Sequence, residues 1–195
     1  MARKSSNPQM DASSVAESAI KDILNYIGED PNREGLLDTP RRVVKSYAEL
    51  FSGYKLDSDK ILGTTFDSAG YNQIVILKEI EMYSTCEHHM IPFVGTVSVG
   101  YIPSKRVVGL SKIARLVEVF SRRLQIQEKM TEQIADTMMR VLEPQGVIVV
   151  VKAKHFCMCA RGVNKQNSWM VTSAIRGRMQ DQAVRSEFFS LLGAP

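Results

Sequence analysis

Residues 74–101 read IVILKEIEMYSTCEHHMIPFVGTVSVGY, and this stretch decides the fold. Its two flanks, residues 74–83 and 94–101, alternate in polarity or are rich in β-branched residues, as antiparallel strands are. Residues 84–93 join these flanks as the connection of a hairpin. We therefore predict two paired strands whose connection carries one cysteine and two histidines.

Helical patterns precede this hairpin. Apolar residues recur at helical spacing from Ser13 to about Gly28. Thr39 and Pro40 supply an N-cap and a first-turn proline for a second helix that ends at Gly53. The side of the second helix predicted to face the core consists of Val43, Val44, Tyr47, Leu50 and Phe51.

Two more helices and a second pair of strands follow the hairpin. The helices begin at Ser111 and near Gln125, and each has apolar residues along one side. Strands are predicted over residues 147–157 and 168–174, before a short helix over about 186–192. Because strands flank a pair of helices, we predict an α+β fold with an antiparallel sheet and helices packed on one face.

The domain organisation is simple. The 195 residues contain no internal repeat and no linker rich in glycine, proline or serine. We therefore expect a disordered tail over residues 1–12 and a single domain over 13–195, which opens with a helical extension over 13–53.

Composition and charge exclude several classes of protein. With 44% hydrophobic and 24% charged residues the chain is an ordinary globular protein. The formal net charge of +4 is too mild to predict a nucleic-acid partner, although it suits a small anionic substrate. The longest aliphatic run, residues 147–151, is far too short to span a membrane. No secretory signal is visible at the N-terminus, so we expect a cytoplasmic protein whose cysteines are ligands or plain thiols.

The candidate chemistry lies in two clusters of cysteine and histidine. All three histidines, His88, His89 and His155, lie within three residues of a cysteine. Cys86 and His89 have a C-x2-H spacing, which lets one tight turn present both to the same zinc ion. In the second cluster, His155 and Cys157 are two residues apart at the end of a predicted strand, so we expect both side chains on one face.

The number of ligands indicates the type of site. Cys86, His89 and Cys157 make three, and a zinc ion with three protein ligands keeps a fourth position for water, as in catalytic sites. The ion lowers the pKa of that water toward neutrality. His88 and His155 then remain as unligated imidazoles suited to proton transfer near pH 7.

Two other interpretations of the cysteines stay open at this point. If Cys159 joined the three ligands, the site would be a closed structural one, although its C-x-C spacing with Cys157 is tighter than the usual C-x2-C. A disulfide or inert buried thiols would give no metal site at all.

Two helix starts offer a second kind of site. Ser111, Lys112 and Arg115 lie in the first turns of their helix, where free N–H groups attract anions such as phosphate, although a solvated basic face has the same pattern. Gln127 and Glu128 open the next helix. A carboxylate there suits the helix dipole without any ligand, and its two oxygens also match the N1–H and 2-amino donors of guanine.

Several of these segments together resemble the GTP cyclohydrolase I family. The resemblance covers about residues 15–192 in order. It is carried by EDPNREGL (29–36), TPRRV (39–43), TCEHH (85–89), GLSKIAR (109–115), QIQE (125–128), HFCMCARG (155–162), VTS (171–173) and RSEF (185–188).

The resemblance implies a tunnelling fold (T-fold) over residues 54–195. It implies a homo-oligomer, a toroidal decamer with active sites between subunits. From the charge and the short aliphatic runs we expect neither nucleic acid nor membrane as a partner. The reaction that the resemblance implies converts GTP and water into formate and 7,8-dihydroneopterin triphosphate, the first step of tetrahydrofolate and other pterin biosynthesis. Zn²⁺ is the implied cofactor.

The resemblance also implies a role for each candidate residue. Zinc is held by Cys86, His89 and Cys157, and the water on zinc attacks C8 of guanine. The catalytic residues are His88 and His155, which move protons, and Ser111, which lies near the ribose. The implied substrate-binding residues are Gln127 and Glu128 at the guanine edge and Lys112, Arg115, Arg161 and Lys45 at the triphosphate.

Departures from the family pattern are few. Leu124 stands where the family usually has proline, Trp169 and Met170 replace smaller or hydroxylated residues, and Cys159 is not a family feature. None of them removes an implied zinc ligand.

The alternatives from other classes are a pterin- or purine-binding protein of the same fold and an interaction protein with a structural zinc. The full set of three ligands and two further histidines favours the enzyme, since a binding protein has no need for them together. A nitrile-reducing relative is disfavoured, because it needs a nucleophilic cysteine and a nicotinamide cofactor, whereas Cys86 and Cys157 match zinc positions.

Overall fold

The computed structural model of the protein describes residues 11–193. The chain divides between Glu49 and Leu50 into two compact units. Of the tail predicted for residues 1–12, residues 1–10 lie outside the described part, and the first helix already includes Ala12. Within the described part, no helix combines the length and the apolarity needed to cross a membrane.

The first unit is helical, as its apolar periodicity predicts. It contains α1 (Ala12–Tyr26), a 3₁₀ turn (Glu34–Leu36) and most of α2 (Thr39–Leu50). Leu24 is the buried residue of α1, but Tyr47 and Leu50 of α2 are each 37% exposed. The prediction that Tyr47 and Leu50 face a core of this chain is therefore wrong. An amphipathic pattern shows that a helix has an apolar face, but it does not show what covers that face.

The second unit mixes strands and helices. After a 3₁₀ turn (Ser52–Lys55), its elements are α3 (Ser58–Leu62), β1 (Thr65–Asp67), β2 (Val75–Cys86), β3 (Pro92–Ile102), β4 (Arg106–Val108), α4 (Leu110–Ser121), β5 (Leu124–Gln125), α5 (Gln127–Leu142), β6 (Gly146–His155), α6 (Phe156–Cys159), β7 (Met170–Gly177), a second 3₁₀ turn (Arg178–Gln180) and α7 (Gln182–Gly193).

A five-stranded sheet forms the centre of this unit, in the order β5-β2-β3-β6-β7. The predicted hairpin is its β2–β3 pair, and β3–β6 and β6–β7 are also antiparallel. Only the two-residue β5 runs parallel to its neighbour, pairing Leu124 with Thr85 and Gln125 with Cys86. A separate two-stranded sheet pairs β1 with β4.

The main core lies between one face of the sheet and helices α4 and α5. Alternate residues of β3, such as Val97 and Val99, are fully buried against Leu116 of α4 and Ile134 of α5 in one cluster. A smaller cluster places Phe188 of α7 beside Ile148 of β6. The α+β class and the antiparallel sheet are thus confirmed.

Gly95 of β3 lies so close to the neighbouring strand β6 that there is no room for a side chain at this position. A Cβ on Gly95 would lie 1.9 Å from the carbonyl oxygen of Lys152 in β6. We expect Gly95→Ala to lower the free energy of unfolding by about 2–3 kcal/mol, because the two strands must move apart. Chemical denaturation followed by circular dichroism measures the loss.

Gly63→Ala is the matched control for this prediction. A Cβ on Gly63 would make an ordinary contact of 3.4 Å with the carbonyl oxygen of Asp59, and its φ of −63° suits any residue. The control is expected to change the free energy of unfolding by less than about 1 kcal/mol. Equal losses in the two variants would contradict the steric argument.

Candidate metal centre and its surroundings

A tight turn at the end of β2 presents the first cysteine–histidine cluster. The N–H of Cys86 donates to the carbonyl oxygen of Ile91 at 2.9 Å, and the N–H of Met90 donates back to Cys86 at 2.8 Å. Met90 has a φ of +54°, which closes the turn. As a result, the Nδ1 atoms of His88 and His89 lie 3.8 and 3.9 Å from the Cys86 sulfur.

The second cluster arrives on β6, which pairs with β3 so that His155 lies opposite Phe93. The strand ends at His155, and Cys157 belongs to the one-turn helix α6. The prediction that His155 and Cys157 leave one face of a continuous strand is therefore wrong, because the backbone becomes helical at Phe156. The helical turn nevertheless carries Cys157 to the first cluster.

Three side chains from the two clusters meet. The ligand atoms of Cys86, His89 and Cys157 all lie within 4.8 Å of one another. Tetrahedral ligands about 2.0–2.3 Å from a zinc ion lie roughly 3.3–3.8 Å apart, so a small contraction suffices to bind one. The donor set of two sulfurs and one imidazole nitrogen also fits zinc.

The third cysteine is not part of this group. The Cys159 thiol faces the carbonyl oxygen of Lys165 at 3.4 Å, and all three cysteines are free thiols. Among the described residues, the structure thus assembles three ligands rather than the four of a closed site, and it forms no disulfide.

The environment of Cys157 shows how the three groups interact before a metal binds. Burial raises the pKa of the Cys157 thiol, the neighbouring Cys86 raises it further, and the positive charge of Arg161 acts in the opposite direction. Arg161 is thus close enough to Cys157 to influence its charge. A metal ion would replace the thiol proton, because the thiolate is the ligand.

His155 is held on two sides next to this group. Its ring stacks on Phe93, with centroids 4.5 Å apart and planes at 5°. Its Nε2 lies 2.8 Å from Oε1 of Gln127. Burial lowers the pKa of His155, and the negative charge of Glu128, the residue after Gln127, acts in the opposite direction.

Gln127 is completely buried at the start of α5. Its Nε2 lies 3.1 Å from the Val151 carbonyl oxygen, 3.2 Å from that of Met170 and 3.1 Å from Oγ1 of Thr172. Thr131 hydrogen-bonds both Thr172 and the Gln127 carbonyl, each at 2.7 Å. Sequence reasoning missed Thr131 and the roles of Thr172 and Phe93, since nothing in their spacing distinguishes them from core positions.

The start of α4, which carries Ser111 and Lys112, lies a helix length away from the strand end that carries Cys86. Ser111 and Lys112 begin this 12-residue helix, which is roughly 18 Å long at about 1.5 Å per residue. Its other end leads into β5 beside Cys86. Arg115, in the second turn, is exposed to solvent. Lys45 lies on α2 in the first unit.

The departures from the family pattern have plain local roles. Leu124 donates its N–H to the Tyr54 hydroxyl at 3.2 Å, a bond that a proline could not make. The Trp169 ring lies 5.1 Å from the Lys152 ammonium. Met170 contributes its backbone carbonyl to the Gln127 network.

The sequence also matches known proteins over most of its length. The family model of GTP cyclohydrolase I matches residues 16–193. GTP cyclohydrolase 1 of Wolinella succinogenes is 61% identical over 173 residues, which cover 88% of this chain and 92% of the relative. The same enzyme of Streptomyces coelicolor is 51% identical over 181 residues, covering 92% and 90%.

A solved structure, the archaeosine synthase QueF-Like in the apo form, aligns with 54% of this chain and 94% of its own at 21% identity and a TM-score of 0.43. The family model and the relatives, by contrast, span nearly the whole chain and include both cysteine–histidine clusters. The chain therefore belongs to the GTP cyclohydrolase I family of enzymes.

Proposed function

We propose that this protein converts GTP and water into formate and 7,8-dihydroneopterin triphosphate, the first step of tetrahydrofolate and related pterin biosynthesis. One observation carries the proposal beyond family membership. Two distant cysteine–histidine segments bring three ligand atoms within 4.8 Å, with two further histidines beside them. Such an arrangement would combine a metal with groups able to transfer protons, as opening a purine ring by hydrolysis requires.

Cys86, His89 and Cys157 hold zinc in the proposed enzyme. When bound, zinc supplies Lewis-acid activation of a water molecule for attack at C8 of guanine. Cys86 is buried at a strand end and Cys157 is half-buried, whereas His89 is exposed. The protein interior thus holds the Cys86 sulfur and partly covers that of Cys157, whereas the exposed His89 imidazole would be the ligand on the solvent side.

His88 and His155 move protons in this proposal. His88 is exposed beside the ligand turn, and it can exchange protons with solvent. His155 is held between Phe93 and Gln127, which fixes its ring for directed transfer. Opening of the imidazole ring and the later rearrangement of the ribose each need protons at nitrogen and oxygen atoms, and an imidazole can both accept and donate a proton.

Guanine recognition is assigned to Glu128. The resemblance implies that Gln127 helps at the guanine edge, but its side chain is completely buried and lies against His155, so Glu128 alone is proposed to contact the base. The residue is exposed at the first turn of α5, and its charge acts on His155. Its two carboxylate oxygens match the N1–H and 2-amino donors of guanine, which adenine lacks.

We expect Glu128→Gln to weaken GTP binding about 10- to 100-fold, since the amide has one acceptor in place of two and no charge. Isothermal titration calorimetry with GTP measures the dissociation constant, and ATP serves as the comparison ligand. Glu132→Gln is the matched control, because Glu132 lies in the next turn of α5 and pairs instead with Arg176. Unchanged GTP affinity in Glu128→Gln would refute the role of Glu128.

Triphosphate binding is assigned to Lys112, Arg115, Arg161 and Lys45, with Ser111 near the ribose. The positive charge of Arg161 acts on Cys157 of the same chain, which supports a place for Arg161 near the proposed zinc ligands. The length of α4 separates Ser111 and Lys112 from those ligands, which supports an oligomer in which a neighbouring copy completes each site. We therefore retain the toroidal homodecamer, in the cytoplasm and without a nucleic-acid partner, as part of the proposal.

The decisive experiment is incubation of the purified protein with GTP. Formate and a pterin that becomes fluorescent after oxidation are the expected products, and their amounts should rise in parallel. A protein that bound GTP with one zinc per chain but released neither product would be a binding member of the family, and the proposal would be wrong.

A further inference from the structure

We propose that Gln127 is a positioning residue that holds neutral His155 as its Nε2–H tautomer and so makes Nδ1 the ring atom that exchanges protons with the substrate. The part of this proposal that concerns proton exchange between Nδ1 and the substrate rests on the proposed function. The tautomer itself follows from the hydrogen bonds of the buried Gln127 side chain, one of which joins it to the half-buried His155.

The orientation of the Gln127 amide is set by its neighbours. Two of the three groups around Nε2, the carbonyl oxygens of Val151 and Met170, can only accept hydrogen bonds. The third, the Thr172 hydroxyl, accepts as well as donates. Rotating the amide by 180° would place its oxygen against two carbonyl oxygens, so the NH₂ group must occupy this side.

This orientation decides which nitrogen of His155 carries the proton. The amide oxygen of Gln127 then faces Nε2 at 2.8 Å, and an amide oxygen can only accept. Nε2 must therefore carry a hydrogen whenever the bond is made. In the neutral imidazole the lone pair is left on Nδ1.

The surrounding residues keep this pair rigid. Phe93 stacks on the His155 ring and limits its tilt. Thr131 bonds the Gln127 carbonyl and the Thr172 hydroxyl, which ties the start of α5 to β7. The Gln127 side chain has no exposed surface, and its amide oxygen contacts His155. The adjacent Glu128 is exposed and is therefore accessible to a guanine base.

Nitrogen NMR tests the tautomer without any assay of activity. The purified protein is labelled with ¹⁵N-histidine and measured by solid-state NMR at about pH 9, well above the ordinary imidazole pKa of about 6.5. His155→Asn identifies the signals among the three histidines. We expect a protonated Nε2 and an unprotonated Nδ1; an unprotonated Nε2, or a ring protonated at both atoms, would overturn the proposal.

Two variants test the cause. Gln127→Met removes the acceptor, and its His155 signals are expected to show a mixture of tautomers. Thr172→Val is the matched control, because the two carbonyl oxygens still orient the amide, and it is expected to keep the Nε2–H signal. Loss of that signal in Thr172→Val would contradict the orientation argument, and an unaltered spectrum in Gln127→Met would contradict the role of Gln127.

Kinetics separates positioning from substrate contact. A positioning role predicts that Gln127→Met lowers kcat about 10- to 100-fold and leaves KM for GTP within about twofold. A raised KM with unchanged kcat would identify a substrate contact and refute the proposal. If the unmodified protein releases no formate from GTP, the proposed function fails, yet the NMR spectrum still decides the tautomer.

Discussion

Replacing Cys157 with serine is expected to remove zinc and GTP turnover together. The Cys157 sulfur is one of three ligand atoms within 4.8 Å of one another, and a serine hydroxyl is a far weaker zinc ligand than a thiolate. Metal analysis of the purified protein should find about one zinc per chain before the change and well under half after it. Formate release should fall more than about 100-fold, because in the proposed mechanism the ion is needed to activate water.

Cys159→Ser is the control for this variant, because Cys159 lies two residues further on and faces the Lys165 carbonyl oxygen. A serine hydroxyl can still donate to that oxygen, so zinc content should stay at about one per chain. Loss of zinc in Cys159→Ser would revive the closed four-ligand site. Full zinc content in Cys157→Ser would remove Cys157 from the ligand set.

Replacing His155 with alanine is expected to separate turnover from metal binding. The imidazole contacts Gln127 and Phe93 but is absent from the three-ligand group, so zinc content should not change. Loss of a positioned proton-transfer group typically costs 10²- to 10⁴-fold in rate, and we expect a fall in kcat of about that size. Steady-state kinetics and metal analysis on the same preparation measure both quantities.

The GTP affinity of His155→Ala provides a comparison with Glu128→Gln. It should fall less in His155→Ala than in Glu128→Gln, because only Glu128 is proposed to contact guanine. Alanine also leaves the amide oxygen of Gln127 without its partner, so circular dichroism must show that the sheet is intact. Zinc loss in His155→Ala would make His155 a ligand. Undiminished formate release would exclude it from proton transfer.

Much of the fold can be predicted from long periodic segments. The β2–β3 hairpin and helices α4 and α5 follow from regular apolar patterns, because each buries one face against the same core. Short elements escape such reasoning. The two residues of β5 and the four of α6 are too few to show a periodic pattern. β5 is recognised only by its pairing with the end of β2 at Cys86, and α6 only by the helical backbone that follows His155.

The candidate ligands were predictable, but their geometry was not. Cysteine and histidine are rare in this chain, so their clustering points to Cys86, His89 and Cys157 without a structure. The one-turn helix α6, which carries Cys157 toward Cys86 and His89, could not be predicted, because four residues are too few to show a helical pattern. The burial of Gln127 was also hidden, because a glutamine at a helix start is ordinarily solvated and only the tertiary fold covers it with β6 and β7.

The parallel pairing of β5 has a consequence for how this chain can vary. Gln125 pairs with the candidate ligand Cys86, and its carbonyl oxygen accepts a hydrogen bond from the N–H of Glu87; Gln127 follows two residues later. The connection between α4 and α5 thus acts as a spacer of fixed length. Substitutions such as leucine for proline at position 124 exchange one hydrogen bond and keep the spacing. An inserted or deleted residue would instead change the spacing between Cys86 and the start of α5, and with it the spacing between the proposed zinc ligands and the proposed guanine-binding Glu128. This stretch should therefore accept changes of residue type far more readily than changes of length.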